Sequence, residues 1–297
     1  MTIGSWTAET VAVHRLGPHL VRVELGGAGL GDYVTNAVPD ESVTLYFPRQ
    51  GETAPPAMTL RDGEWGFHDL DEPPVGRNYT IRSADPEAGT VAIDFVLHGD
   101  GVASQWAARA TPGDGLVLWR QRGWYRPPAA TDWVVLAADL TGLPAVLRIL
   151  EGLPDGVAAT VLVDALDDTD LAELRVVAPR SARIDARLGA GNGVARDTLI
   201  ARIEAFDPPA SGDGYAWFAG EAGDARRARA VWRERHGLAR DRVASVGYWR
   251  ADATEWQRRY ATVQAEMEQL YADAVAAGAT LTEAGERVED ALALRGL

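Results

Sequence analysis

Short runs in which apolar and polar residues alternate dominate the first 125 positions. Residues 10–13 (TVAV) and 20–24 (LVRVE) are such runs, with Gly17-Pro18 between them as a turn. Residues 42–47 (SVTLYF) alternate and stop at Pro48. Residues 79–82 and 90–97 flank a turn containing Asp85-Pro86, and 116–119 (LVLW) follows Pro112-Gly113-Asp114-Gly115. Six short strands separated by turn signals predict a six-stranded antiparallel barrel. One helix, near 104–110, interrupts them.

The pattern changes after Pro127-Pro128, a linker between 126 and 131. Residues 133–138 (WVVLAA) form an unbroken apolar run, which marks a strand covered on both faces. Helix 143–153, strand 158–163, a weaker strand 182–186, helix 197–206, strand 215–219 (YAWFA), helix 223–236 and strand 242–247 follow in turn. This βα alternation predicts an open parallel α/β sheet. From 254 to the end the period is helical. Trp256, Tyr260, Val263, Met267, Leu270 and Tyr271 share one face, and Thr280-x-x-Glu283 reads as a capping box. That face is expected to pack on the chain's own sheet; covering a ligand site or oligomerising through these helices are the alternatives. The expected domains are a barrel at 1–126, an α/β domain at 131–250 and a helical extension at 251–297.

Composition narrows the function. The 297 residues are 46% hydrophobic and 24% charged, as in ordinary globular domains. A formal net charge of -14 without a Lys/Arg run argues against a nucleic-acid partner. The absence of cysteine excludes disulfides, thiolate nucleophiles and Cys-ligated clusters, and it fits a reducing compartment. The start, MTIGSWTAETVAVHRL, lacks a secretory pattern, and no apolar run approaches the roughly 20 residues of a membrane span. The expected setting is the cytoplasm, with no membrane association. The five histidines, at 14, 19, 68, 98 and 236, have no metal-ligand spacing, so no protein-held metal is expected.

Two segments carry chemistry. Arg77-Asn78-Tyr79-Thr80-Ile81-Arg82 puts two arginines, a ring and a hydroxyl on one strand. Alternation places Arg77, Tyr79 and Ile81 on one side and Asn78, Thr80 and Arg82 on the other. A guanidinium fork suits a pyrophosphate, and a tyrosine can stack on a flat heteroaromatic ring. A surface strand with two solvated arginines is the competing reading. The second segment is the strand end and turn His98-Gly99-Asp100-Gly101-Val102-Ala103-Ser104, which opens a helix. Its glycines allow close backbone approach, and a helix start favours an anion. Ser104 could instead be an N-cap alone.

Together RNYTIR and HGDGVASQWA resemble the FAD-binding region of the siderophore-interacting proteins, ferric-siderophore reductases within the ferredoxin–NADP reductase superfamily. The resemblance continues through ADLTGLPAVLRILEGLP (138–154), GDGYAWFAGEAGDARRARAVWRERHGL (212–238) and VGYWR (246–250). It implies that Arg77, Tyr79, Thr80, Ile81 and Arg82 hold the isoalloxazine and pyrophosphate of FAD. Gly101, Val102, Ala103 and Ser104 would cradle the pyrophosphate, with His98 beside the flavin and Tyr248 and Trp249 near its other face. Thr141, Gly142 and Pro144, with Gly220 and Glu221, would meet a nicotinamide nucleotide at the carboxyl ends of the strands.

Two places depart from the family pattern. Leu140 stands where many members carry an acidic residue, as in DETALPA. Residues 120–126 (RQRGWYR) stand where a glycine–proline–arginine–glycine segment and a small residue are usual. Arg120, Arg122, Trp124 and Arg126, with Arg250, are therefore candidate contacts to an anionic, aromatic-bearing ligand; the adenine end of FAD and a packed domain junction are the alternatives for 120–126. The resemblance implies electron transfer from NAD(P)H, or from ferredoxin, through FAD to Fe(III) in a siderophore, with release of Fe(II). No side chain is then needed as acid, base or nucleophile. A flavin reductase or repurposed flavoprotein of a specialised biosynthetic pathway is a second reading. A non-catalytic FAD- or siderophore-binding module is a third.

Overall fold

Alternation closes the first part of the chain into a barrel. The computed structural model describes residues 4–99, 101–195 and 197–297, with the side chains of Leu281 and Thr282 outside the description. Asp100, in the glycine turn singled out above, therefore lies outside the described residues. In chain order the elements are β1 (Ser5–Arg15), β2 (Leu20–Gly26), β3 (Ser42–Tyr46), β4 (Thr59–Arg61), β5 (Glu64–Gly66), β6 (Gly76–Asp85), β7 (Thr90–Val96), α1 (Val102–Arg109) and β8 (Gly115–Arg122). The antiparallel strands close in the order β1-β2-β7-β6-β3-β8, with β8 back on β1. Val21, Val23 and Leu25 of β2, Ile81 of β6 and Ile93 and Phe95 of β7 fill the interior, which Trp106 and Ala107 of α1 help to seal.

The β4–β5 hairpin was not foreseen. Its turn is Asp62-Gly63, both with positive φ (51° and 84°), the backbone that a tight two-residue hairpin turn requires.

The second half adds β9 (Trp133–Ala138), α2 (Leu143–Glu151), β10 (Ala158–Ala165), α3 (Ala172–Val177), β11 (Arg183–Leu188), α4 (Thr198–Ala205), β12 (Gly214–Glu221), α5 (Ala222–Ala230) and β13 (Val243–Trp249). α5 runs on into a π-helical turn, Val231–Arg235. The five strands are parallel, in the order β11-β10-β9-β12-β13. Central β9 is buried throughout because its two faces serve two cores. Val134, Leu136 and Ala138 meet α2, while Trp133, Val135 and Ala137 meet α4 and α5. Strand order reverses between β9 and β12, which makes their carboxyl ends the switch point.

Barrel and sheet belong to one compact unit that runs to Trp249, and buried charge joins them. Arg82 on β6 donates to both carboxylate oxygens of Glu151 on α2, at 3.0 and 2.7 Å, and to Glu173 on α3 at 2.7 Å. Arg22 on β2 pairs with Asp94 on β7 and reaches the other oxygen of Glu173. Arg148 of α2 donates to the Ile81 carbonyl at 2.7 Å.

Residues from Arg250 onward form a second unit, with α6 (Ala253–Tyr260), α7 (Gln264–Ala276) and α8 (Leu281–Leu294). The stripe expected to pack on the sheet finds a partner within this unit. Trp256, Tyr260, Val263 and Met267 gather with Val288, Ala291, Leu292 and Leu297. The reason is α8, whose Thr280–Glu283 capping box starts a second amphipathic helix against the first. Among the described residues no helix is long and apolar enough to cross a membrane, and no group of three His, Asp or Glu could hold a metal ion.

Candidate functional site

The end of the barrel where β3, β6 and β8 meet faces the last strand of the sheet. Ser42, Asn78, Tyr79, Arg122 and Trp124 on one side, with Val246, Gly247 and Tyr248 on the other, line a shallow cleft of about 80 Å³. Tyr79 leans on the barrel core, its ring 4.5 Å from that of Phe95. Burial pushes its hydroxyl pKa up. Thr80 is buried, and its hydroxyl lies 3.4 Å from that of Tyr248. Tyr248 is also pushed up, by burial first and then by the charge of Asp40.

Arg122 reaches across the cleft wall to Thr44 Oγ1 (2.7 Å) and Asn78 Oδ1 (2.5 Å). Burial, and then the neighbouring Arg120, lower its pKa. Two polar atoms of the lining, Ser42 Oγ and Arg122 Nε, are buried with no hydrogen-bond partner among the described residues. Buried polar groups are normally satisfied, so this cleft is short of a polar ligand.

Other residues of the two motifs are disposed differently. Arg77 is exposed, its guanidinium resting on the Gly76 carbonyl. His98 is exposed, and its N–H donates to Ser104 Oγ at 2.9 Å. Ser104 thus ties the turn together, and the N-cap position of α1 belongs to Gly101. A Cβ on Gly101 would meet nothing within 4 Å, so open space lies over the turn. Val102 is half-buried and Ala103 buried against the barrel.

Two residues of the first motif are engaged within the protein. Arg82 is 6% exposed, and its terminal guanidinium nitrogens bond Glu151 and Glu173 at the junction of barrel and sheet. Ile81 is a core side chain whose backbone N–H and C=O are taken by Glu41 and Arg148. A bulge between Ile81 and Ser83 accompanies the change of environment along β6.

At the switch point the centre is Asp139, a residue the sequence reading did not name. It is buried, which raises its pKa; bonds from Thr141 and Trp249 oppose that rise. One oxygen accepts the Thr141 N–H (2.8 Å) and hydroxyl (2.5 Å), and the other accepts Trp249 Nε1–H (2.6 Å). Leu140 is fully buried in the core beside α2, and its N–H donates to Asn192 Oδ1 at 3.3 Å. Asn192 follows Gly191, where a φ of +83° and a Cβ that would lie 2.9 Å from Asp164 Cβ leave no room for another residue.

Gly142 is a packing glycine. A Cβ there would lie 2.9 Å from Ala138 Cβ, Ala219 Cβ and the Ala219 carbonyl oxygen. Gly142→Ala is accordingly expected to cost about 1–3 kcal/mol by overpacking, read from equilibrium denaturation. Gly220 sits beside Asp139, and Glu221 caps α5 by accepting from the Gly223 and Asp224 N–H groups. Pro144 lies elsewhere, in a cavity with Leu16, Leu20 and Leu147.

Of the remaining arginines, Arg120 is exposed with a positive φ of 55°. Arg126 is exposed, and its N–H donates to the Tyr215 hydroxyl at 3.0 Å. Arg250 lies in the helical unit, its guanidinium carbon 4.2 Å from the centre of the Trp256 ring.

Comparison with known proteins decides the family. Residues 9–123 match the siderophore-interacting FAD-binding domain, and residues 131–252 match the siderophore-interacting protein family. The chain belongs to the siderophore-interacting proteins. An uncharacterised protein of Mycobacterium tuberculosis is 32% identical over 278 residues, covering 86% of this chain and 96% of that one. The ferric vibriobactin reductase ViuB of Vibrio cholerae is 26% identical over 242 residues, covering 80% and 86%. A siderophore utilization protein from T. fusca, solved by crystallography, superposes with a TM-score of 0.74 at 32% identity, covering 85% and 95%.

The residues present in this siderophore-interacting protein fit FAD. The unpartnered Ser42 Oγ, the Tyr79 ring and the open space over Gly101 suit a large planar ligand with a polar rim and a phosphate tail.

Proposed function

We propose that the chain is an FAD-dependent reductase that passes electrons from NAD(P)H to Fe(III) held in a siderophore and releases Fe(II). The observation that carries this reading is the cleft between Tyr79, in the siderophore-interacting FAD-binding domain, and Tyr248, in the siderophore-interacting protein match that follows it, with its unsatisfied Ser42 and Arg122 atoms. The balance is one NAD(P)H and two Fe(III) complexes giving NAD(P)+, one proton and two Fe(II) complexes. Bound FAD would supply the conversion from a two-electron donor to a one-electron acceptor.

The chain's own residues bind and orient. Tyr79 offers a flat face, and Thr80 and Tyr248 set hydroxyls at the cleft's inner end. Arg77 and the N–H groups of 101–104 would meet a pyrophosphate. Arg120 and Arg122 supply local positive charge on an acidic protein, which favours anionic ferric complexes. Reduced iron is a softer ion and leaves hard oxygen donors more readily. Thr141, Gly142 and Gly220 at the switch point are the proposed nicotinamide nucleotide contacts.

Ferredoxin is the alternative donor, and one observation counts against a nucleotide at the switch point. The Leu140 and Thr141 N–H groups are already bonded to Asn192 and Asp139, so a pyrophosphate seated there must displace them.

Protein reconstituted with FAD and titrated anaerobically with NADPH, NADH or reduced ferredoxin should lose its flavin absorbance with at least one donor. It should regain that absorbance on addition of a ferric chelate, with two Fe(II) per donor pair of electrons. Fast bleaching with no recovery on any ferric chelate would reduce the reading to a flavin reductase. Failure to take up FAD would leave only a binding module.

A further inference from the structure

Trp124 lies in the cleft, on the segment that departs most from the family pattern, and its backbone is pinned. Its N–H donates to the buried carboxylate of Asp40 at 2.8 Å, and its carbonyl accepts from the Tyr215 hydroxyl at 3.4 Å. The next N–H, of Tyr125, goes to the same Asp40 oxygen at 2.9 Å. Before it, Gly123 is wedged so closely on Val38 that a Cβ would lie 2.9 Å away. The indole, in contrast, is half-exposed. Among the described residues it has neither a ring partner nor a hydrogen-bond partner.

A tryptophan held this firmly by its backbone and left unpaired at its ring is a preorganised surface for stacking. Beside it in the cleft wall stands the Arg122 guanidinium, with its unpartnered Nε, and the exposed Arg120, near the Trp119 ring, is close enough to Arg122 to lower its pKa. The chain as a whole carries a formal charge of -14, so this local pair of cations is set against the general field. An aromatic face next to cations suits a ligand that is itself both aromatic and anionic.

We infer that Trp124 is a specificity-determining residue that selects ferric complexes whose donor arms are aryl oxygens, catecholate or phenolate, over ferric hydroxamates. The inference rests on the reductase reading of the same cleft. The indole stacks on an aryl arm while Arg122 and Arg120 take the negative charge of the complex. A hydroxamate complex has no ring to stack and little net charge, so it gains little from either. The electron count is that given above, one electron for each Fe(III), and Trp124 takes no part in it.

The test uses the FAD-loaded protein, with ferric tris-catecholate and ferric acetohydroxamate as acceptors. The wild type should favour the catecholate. Trp124→Ala should raise KM for the catecholate about tenfold, the order expected for losing one aromatic stacking contact, and raise it less than about threefold for the hydroxamate. Trp124→Phe, which keeps a ring, should recover most of the difference. Equal losses with both chelates, or release of FAD from Trp124→Ala, would overturn the inference, the latter by assigning the indole to the cofactor.

Redox-inert Ga(III) complexes separate this result from failure of the reductase reading. If the wild type reduces neither iron chelate, quenching of tryptophan fluorescence by Ga(III) catecholate but not by Ga(III) hydroxamate, lost in Trp124→Ala, still supports the site. Equal binding of both complexes, or of neither, overturns it.

Discussion

Replacing Arg82 with methionine is expected to destabilise the folded chain by about 3 kcal/mol while leaving FAD binding in place; breaking a buried ion pair costs about 3–5 kcal/mol, and the partly exposed carboxylates here hold the loss to the lower end. Arg82 is 6% exposed and holds Glu151 and Glu173 through three hydrogen bonds. Methionine fills similar volume but leaves Glu151 unpaired and Glu173 with Arg22 alone at the junction of barrel and sheet. Urea unfolding of both proteins at neutral pH measures the difference. Arg77→Ala is the matched control, since exposed Arg77 should change stability by less than about 0.5 kcal/mol but weaken FAD affinity. A folded Arg82→Met protein that cannot hold FAD would return Arg82 to the phosphate.

Glu173 gives the same network a pH signature. Burial alone would raise its carboxyl, but the hydrogen bond from Arg22, the charges of Arg82 and Arg22 and the bond from Arg82 together hold it below the ordinary range. A carboxyl depressed in the folded state contributes stability that is complete above its unfolded pKa of about 4.3 and is lost as pH falls through the folded value. Arg82→Met should therefore flatten the acid limb of the stability curve, and the variant's deficit should shrink as pH falls below about 4.

What could be read from the sequence follows from which interactions are local. Strand β9 was read to its residue limits because cover on both faces leaves an unbroken apolar run. β1 begins five residues earlier than the 10–13 run; Ser5–Glu9 alternates outward polar and inward apolar residues, a strand signal that was passed over. The β4–β5 hairpin carries an Asp-Gly turn, yet three-residue strands are too short to show a period. α3, six residues long, escaped for the same reason.

The site divides in the same way. Tyr79 and the 98–104 turn announce themselves by residue type and spacing. Whether an arginine on β6 meets a phosphate or a carboxylate depends on Glu151 and Glu173, 69 and 91 positions further on. Alternation had already set Arg82 opposite Tyr79, the one local sign that the two serve different neighbours. Asp139 had no such sign, because its partner Trp249 is 110 positions away.

Asp40→Ala is expected to have an effect as large as Arg82→Met, and it reaches the cleft as well as the fold. The carboxylate is fully buried and accepts three N–H groups: Trp124 at 2.8 Å, Tyr125 at 2.9 Å and Trp217 Nε1 at 3.0 Å. It joins the barrel's 36–41 loop to the segment leaving β8 and to β12. Burial raises its pKa, while those three donors oppose the rise, so removing the charge relieves some desolvation. Against that relief, each buried donor left unsatisfied costs about 1–3 kcal/mol, and three of them outweigh it by about 3 kcal/mol.

Asp40→Asn distinguishes the contributions. Its oxygen can keep the two backbone N–H groups, but its NH2 then faces the Trp217 N–H, so about one hydrogen bond, 0.5–1.5 kcal/mol, is lost. The expected order in urea unfolding is wild type, Asp40→Asn, Asp40→Ala. Trp124 should follow the same order. With its backbone anchor gone, the indole loses its fixed orientation, and the preference for ferric catecholate over ferric hydroxamate should weaken in Asp40→Ala but persist in Asp40→Asn. Equal losses of stability in the two variants would mean that the Trp217 bond, and not the grip on 124–125, is what Asp40 contributes.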